Sequence, residues 1–142
     1  MSEPLTRPLH LRLGAVGWVA AGGLLGAPAR YAVSSWLPTP ARGWPAATFV
    51  VNVAGAFVLG LLLEALARSG PDTGWRQRAR LFAGTGFCGS LTTFSALAVE
   101  TDLLVRGDEP ALAAGYVLAS LVAGLVAVLT GSAVAARGRP RR

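Results

Sequence analysis

The side chains able to do chemistry in this chain lie inside its apolar stretches. Asn52 carries a primary amide, and Thr92, Thr93, Ser95, Tyr116 and Ser120 carry hydroxyls, within segments otherwise built largely from Ala, Val, Leu and Gly. Polar groups in apolar surroundings need partners, and every one of these can donate a hydrogen bond. No carboxylate accompanies them at mid-segment; the nearest acids, Glu100 and Asp102, lie towards the end of the stretch that holds Thr92. Phe94 adds a ring whose edge is partly positive, and Arg30 adds a full positive charge near one end of the route. Such a lining suits a small anion better than a cation, since channels select by the charge they present. An enzyme is the least favoured class, because no nucleophile–base pair, metal cluster or phosphate loop appears. The lone His10 cannot build a metal site, and the single Cys88 can form no intrachain disulfide and reads as a small packing residue.

These groups must be held by membrane-spanning elements. Of the 142 residues, 53% are hydrophobic and 14% charged, whereas a soluble domain carries about 25% charged residues. Four stretches, approximately 13–36, 43–65, 79–104 and 110–136, are long enough to cross a bilayer core, which takes about 20 residues. The expectation is an all-α membrane protein, a single four-span membrane domain over residues 1–142. A cleaved signal peptide competes for the first stretch, since Arg7 and Arg12 precede an apolar run ending Ala27-Pro28-Ala29. That run continues past the cut through Tyr31, Val33 and Trp36, which disfavours cleavage.

The 13 basic residues are all Arg. The N-terminal tail, the loop between the second and third spans and the C-terminal tail hold most of them, while Arg42 and Arg106 lie on the opposite side. By the positive-inside rule both termini face the cytoplasm, in a multi-pass protein of the cell membrane. The same placement makes the sequence pI of about 11.3 a topological signal rather than a sign of nucleic acid. Glu64 and Arg68, four apart, are expected to pair at the end of the second span.

In lipid, small and polar residues mark the surfaces that face protein. The second span aligns Thr48, Asn52, Gly55, Ala56 and Gly60 on one face; the fourth aligns Ala113, Tyr116, Ser120, Gly124, Ala127 and Gly131; the first offers Gly22 and Gly26. Close packing accounts for the Gly and Ala but not for Asn52. The third span contains Gly84-Thr85-Gly86-Phe87-Cys88-Gly89-Ser90-Leu91-Thr92-Thr93-Phe94-Ser95, poor helix material at about 1 kcal/mol per Gly. Two arrangements fit it. The helix breaks at membrane depth, and its freed carbonyls line a cavity or hold a cation; or it stays regular, with hydroxyls bonded back onto its own carbonyls.

With these motifs in order, the chain resembles the CrcB, or Fluc, family of fluoride channels over nearly its whole length. The matching segments are Gly22-Gly23-Leu24-Leu25-Gly26-Ala27 with Arg30-Tyr31, Val51-Asn52-Val53-Ala54-Gly55-Ala56-Phe57, Gly86 through Ser95 with Glu100, and Tyr116 with Ser120. The resemblance implies a broken third helix, an antiparallel dimer with two fluoride pathways, and passive export of fluoride from the cytoplasm. It also implies a structural Na⁺, not conducted, held by the main-chain carbonyls of Gly89 and Thr92 from each subunit. Asn52, Thr93, Phe94, Ser95, Tyr116 and Ser120 would line or border the ion route, with Arg30 at a vestibule. Replacing Asn52 or Phe94 is then expected to abolish flux without changing assembly.

Two features qualify that expectation. The family pattern places a second Phe three residues after the first, where this chain has Leu97; the pathway using that face lacks one aromatic contact. The lopsided arginines also favour a single orientation, so the partner is either a second copy or, better supported, an oppositely oriented paralogue. Two alternatives remain: a conduction-impaired partner subunit of a heterodimeric fluoride channel, and a small proton-coupled cation exporter. The exporter needs a carboxylate in its membrane core, commonly in the first span, where this chain has only Arg30 as a charge.

Overall fold

Where water is scarce, a backbone must bond to itself, and within one segment only a helix does so completely. The computed structural model describes residues 12–37 and 43–138, and among them every regular element is helical. Arg7, His10, Arg42, Arg139, Arg141 and Arg142 lie outside the described residues. Helix α1 covers Leu13–Trp36 and α2 covers Ala46–Ser69, 24 residues each. The third run is composite: α3 (Gly74–Ala79), a π-helical stretch (Arg80–Cys88), the single turn α4 (Gly89–Leu91) and α5 (Phe94–Arg106). Helix α6, Pro110–Arg137, has 28 residues and begins with Pro at a first-turn position, where a missing N–H costs nothing.

Ala46–Ser69, Gly74–Arg106 and Pro110–Arg137 are long and apolar enough to cross a membrane. Helix α1 equals α2 in length, about 36 Å at 1.5 Å per residue, but five glycines, Pro28 and Arg30 dilute its apolar content. On α6, Leu118, Leu121, Leu125 and Leu129 are each 60–65% exposed. Such an apolar stripe on one side of a helix faces lipid rather than water. The opposite face holds the small and polar residues: Ala113, Tyr116, Ser120, Ala127 and Gly131 are buried, as are Thr48, Gly55 and Gly60 on α2.

The helices pack as two pairs. In the first, α2 meets α6 backbone to backbone: a Cβ on Gly60 would lie 2.2 Å from the Val128 carbonyl oxygen, and one on Gly131 2.2 Å from that of Phe57. The Ser132 hydroxyl donates to the Gly60 carbonyl at 3.2 Å across the same crossing. In the second pair α1 meets the π-helical stretch: a Cβ on Gly22 would reach the Phe82 carbonyl oxygen at 2.0 Å, and one on Gly86 that of Val19 at 2.4 Å. Gly124 has nothing within 4 Å; it shares the face without joining the crossing.

These contacts fix the directions. Thr48 lies near Tyr116 through Glu100, and Gly60 lies against Val128, so α2 and α6 run parallel. Gly22 meets Phe82 and Phe87 while Gly26 meets Phe87 and Ser90, so α1 runs parallel to the third run. One end of the molecule therefore gathers Arg12, Arg68, Arg76, Arg78, Arg80 and Arg137, and the other end Arg106, among the described residues. At the basic end Arg68 pairs with Glu64 at 2.5 Å and Arg80 with Asp72 at 2.7 Å; at the other, Arg106 pairs with Asp102 at 2.7 Å. Tight turns join the runs there: Gly70 adopts φ 126° after α2, and Asp108 adopts φ 61° before α6, a left-handed conformation that Asp tolerates better than most residues.

Candidate functional site

The third run is interrupted at Thr92 and Thr93, whose backbones are extended (φ −80°, ψ 155° and φ −151°, ψ 120°). The alternative of a regular helix is thereby settled in favour of a break. Three main-chain groups at the break are answered by specific side chains. The Thr93 N–H, which in a continuous helix would meet the Gly89 carbonyl, instead donates to Asn52 Oδ1 at 2.7 Å. Asn52 Nδ2 donates to the Thr93 carbonyl at 3.0 Å, so one amide holds both polar groups of one residue. The Ala96 N–H, which would have met the Thr92 carbonyl, donates to Thr93 Oγ1 at 3.2 Å and caps α5. One turn beyond Asn52, Gly55 makes room: a Cβ there would lie 2.2 Å from Thr92 Cγ2.

Gly89 and Thr92 are among the residues whose carbonyls lose their helical donors at the break, their former donors Thr93 N–H and Ala96 N–H bonding side chains instead. Main-chain oxygens are the hard ligands that suit an alkali or alkaline-earth cation, so this pair fits the donor chemistry expected of a Na⁺ site. Nothing contacts Gly89 on its Cβ side within 4 Å. The Thr92 carbonyl is approached by Arg30 Nη1 at 3.5 Å, the outer limit of a hydrogen bond. No cluster of His, Cys, Asp or Glu able to hold a metal occurs among the described residues.

Two open clefts flank the break, and Thr93 lines both. The first, about 580 Å³, is bordered by Arg30, Tyr31, Ser34, Thr48, Ser95 and Glu100. The second, about 370 Å³, is bordered by Asn52, Gly89, Thr92, Phe94 and Leu97. Ser95 Oγ lies 3.1 Å from Thr93 Oγ1, which makes a short hydroxyl pair at the mouth of α5. Phe94 points away from the helix pairs and is 78% exposed. Leu97 is buried in the seam between α5 and α6, in a cluster with Leu104, Ala113 and Tyr116.

Tyr116 and Ser120 line neither cleft. Tyr116 is fully buried, its ring edge-on to Trp44 at 5.4 Å, and its hydroxyl donates to Glu100 Oε2 at 2.6 Å. Thr48 Oγ1 donates to Glu100 Oε1 at 2.7 Å, so each carboxylate oxygen takes one short, charge-assisted bond. Glu100, expected at the far end of the third span, thus belongs to the first cleft. Thr48 entered the sequence argument only as part of a packing face; its place one turn before Asn52 was the signal that it faces the same joint. Ser120 Oγ is buried and has no hydrogen-bond partner among the described residues, an uncommon state for a native hydroxyl.

Helices that expose leucine outward and gather hydroxyls, an amide and an arginine around an interrupted helical run define a multi-pass membrane protein with polar groups in its interior. The model of a family described as "CrcB-like protein, Camphor Resistance (CrcB)" matches residues 17–132. A relative named "Fluoride-specific ion channel FluC 2", from Leifsonia xyli subsp. xyli, is 46% identical over 136 residues, covering 96% of this chain and 93% of the relative. "Fluoride-specific ion channel FluC 3" of Streptomyces avermitilis is 46% identical over 133 residues, covering 94% of this chain and 64% of that longer protein. "Fluoride-specific ion channel FluC 1" of Mycolicibacterium paratuberculosis is 44% identical over 124 residues, covering 87% of this chain and 92% of the relative. The chain belongs to the CrcB family. The relatives are channels by name, not enzymes, in agreement with the sequence expectation.

Proposed function

We propose that this chain is a fluoride channel subunit that crosses the membrane four times and lets fluoride leave the cytoplasm passively. The observation that carries the proposal is the clasped break: Asn52 holds Thr93 between two open clefts. A dehydrated anion needs donors in place of water. Arg30, Thr93 and Ser95 offer them on the first cleft, and Asn52 and the Phe94 ring edge border the second. Asn52 Nδ2 spends one of its two hydrogens on the Thr93 carbonyl and keeps one for an ion. Ser120 Oγ, buried and without a partner among the described residues, is a further donor behind the route. Glu100 lies on the first cleft with both oxygens bonded to hydroxyls, and its charge faces the ion less than a bare carboxylate would.

The subunit works as half of an antiparallel dimer in this reading. The carbonyls of Gly89 and Thr92 from both subunits hold a structural Na⁺ that adds positive charge where two breaks meet. The concentration of arginines at one end supports a single orientation, both termini cytoplasmic, and hence pairing with an oppositely oriented paralogue rather than with a second copy. Leu97 supports the related reading of a conduction-impaired partner: it offers no ring edge and is turned into the α5–α6 seam. The test is fluoride efflux from liposomes that contain the purified chain alone or with a candidate paralogue. Efflux only with the paralogue is expected. Robust efflux from the chain alone refutes obligate pairing, and none in either condition refutes the channel.

A further inference from the structure

The basic end of the molecule carries a surface that the ion route does not use. Between the end of α2 and the start of the π-helical stretch, the chain holds four arginines against Glu64 and Asp72. Three of these arginines are engaged internally. Arg68 pairs with Glu64 and Arg80 with Asp72. Arg76 donates to the Pro71 carbonyl at 2.7 Å and the Ser69 carbonyl at 3.3 Å, which closes the end of α2. Arg78 is exposed and has no partner among the described residues. Three residues before it on α3, and so on the same side of the turn, stands Trp75, 61% exposed. The Arg76 guanidinium lies 5.7 Å from the Trp75 ring centre and braces it.

This hairpin joins two membrane-spanning runs, which puts α3 at headgroup depth whichever way the protein is inserted. An indole at that depth partitions into the boundary between acyl chain and headgroup. A free guanidinium beside it presents a planar fork of donors that matches a phosphodiester, and the net positive charge of the hairpin attracts an anionic surface. We infer that the α2–α3 hairpin binds the headgroup of an anionic phospholipid, with Arg78 on the phosphate and Trp75 seated beside the glycerol. The inference rests on the membrane-spanning helices and not on the fluoride reading.

The test is native mass spectrometry of the full chain in neutral detergent, titrated with phosphatidylglycerol and, in parallel, with phosphatidylcholine. Phosphatidylglycerol is expected to bind more tightly, and Arg78→Gln to weaken it about fivefold, the share of one arginine at an anionic surface. Arg78→Lys, which keeps the charge, is expected to retain more of the affinity than the Gln variant. Arg106→Gln, at the opposite end, is expected to leave it unchanged. Arg78 is exposed, so an unaltered helical circular-dichroism signal separates lost binding from lost fold. Equal binding of the two lipids, or equal losses for Arg78→Gln and Arg106→Gln, overturns the inference. So does displacement of phosphatidylglycerol by equimolar inorganic phosphate, since the site would then take a free anion.

Discussion

Replacement of Asn52 by Ala removes the side chain that bonds both the N–H and the carbonyl of Thr93. A buried main-chain group left without its partner costs about 1–3 kcal/mol, so the two together cost about 2–6 kcal/mol. Thr93 is half-buried and lines two open clefts, so water reaching the freed groups brings the loss towards the lower end of that range. Asn52→Ala should therefore lower stability and fluoride flux together, because the break that carries the route loses its support. The assay is unfolding of the reconstituted protein, followed by circular dichroism, alongside fluoride efflux from matched liposomes. Asn52→Asp discriminates further: one carboxylate oxygen still accepts from the Thr93 N–H, while the other faces the Thr93 carbonyl with no hydrogen to give. That oxygen repels the carbonyl, so Asp should lose at least as much stability as Ala. An Asn52→Ala protein of native stability but without flux would refute the clasp and make Asn52 an ion ligand alone. The family resemblance implied flux lost with assembly intact; the two bonds to Thr93 add a loss of folding stability to that expectation.

Phe94→Ala should abolish flux, as the family resemblance implies, while unfolding stays within about 0.5 kcal/mol because the ring is exposed. Gly131→Ala should destabilise the α2–α6 crossing by about 1–3 kcal/mol, its Cβ being driven to 2.2 Å from the Phe57 carbonyl oxygen. Gly124→Ala, with nothing within 4 Å, should be neutral or slightly stabilising in the same unfolding experiment. Leu97→Phe should cost about 1–3 kcal/mol by overpacking the seam against Leu104, Ala113 and Tyr116; a stable, faster-conducting variant would contradict that placement. Exchanging Na⁺ for a bulky organic cation should lower the temperature at which a purified dimer dissociates, measured by cross-linking, and an unchanged temperature would remove the cation from the assembly.

Much of this architecture was readable because its causes are local. Apolar runs without charges become helices, and the Gly60 and Gly131 faces follow from helical spacing alone. The Ser/Thr-rich run around Thr92 and Thr93 announced a choice between a break and back-bonded hydroxyls, and both occur: Thr92 Oγ1 donates to the Cys88 carbonyl at 2.9 Å one turn before the chain opens. What composition did not reveal depends on other segments. The π-helical geometry of Arg80–Cys88 accompanies the close approach of Gly22 to Phe82 and Phe87, a tertiary contact invisible in the run itself. Tyr116 was legible as a donor but not as a donor to Glu100, because the bond joins two helices whose angle the sequence does not state. For the same reason Asn52 was legible as an amide in need of partners, but not as the clasp on Thr93.

Thr93 behaves as a keystone. Its position comes from α2 through Asn52, and α2 is in turn welded to α6 by mutual backbone contact at Gly60 and Gly131. A residue changed far along that weld would shift the frame from which the break at Thr92 and Thr93 hangs. Drift at the Gly60–Gly131 contact would then be felt as altered permeation while the ion-facing side chains stayed untouched. Changes in ion handling among relatives are accordingly to be sought in the frame as well as along the route.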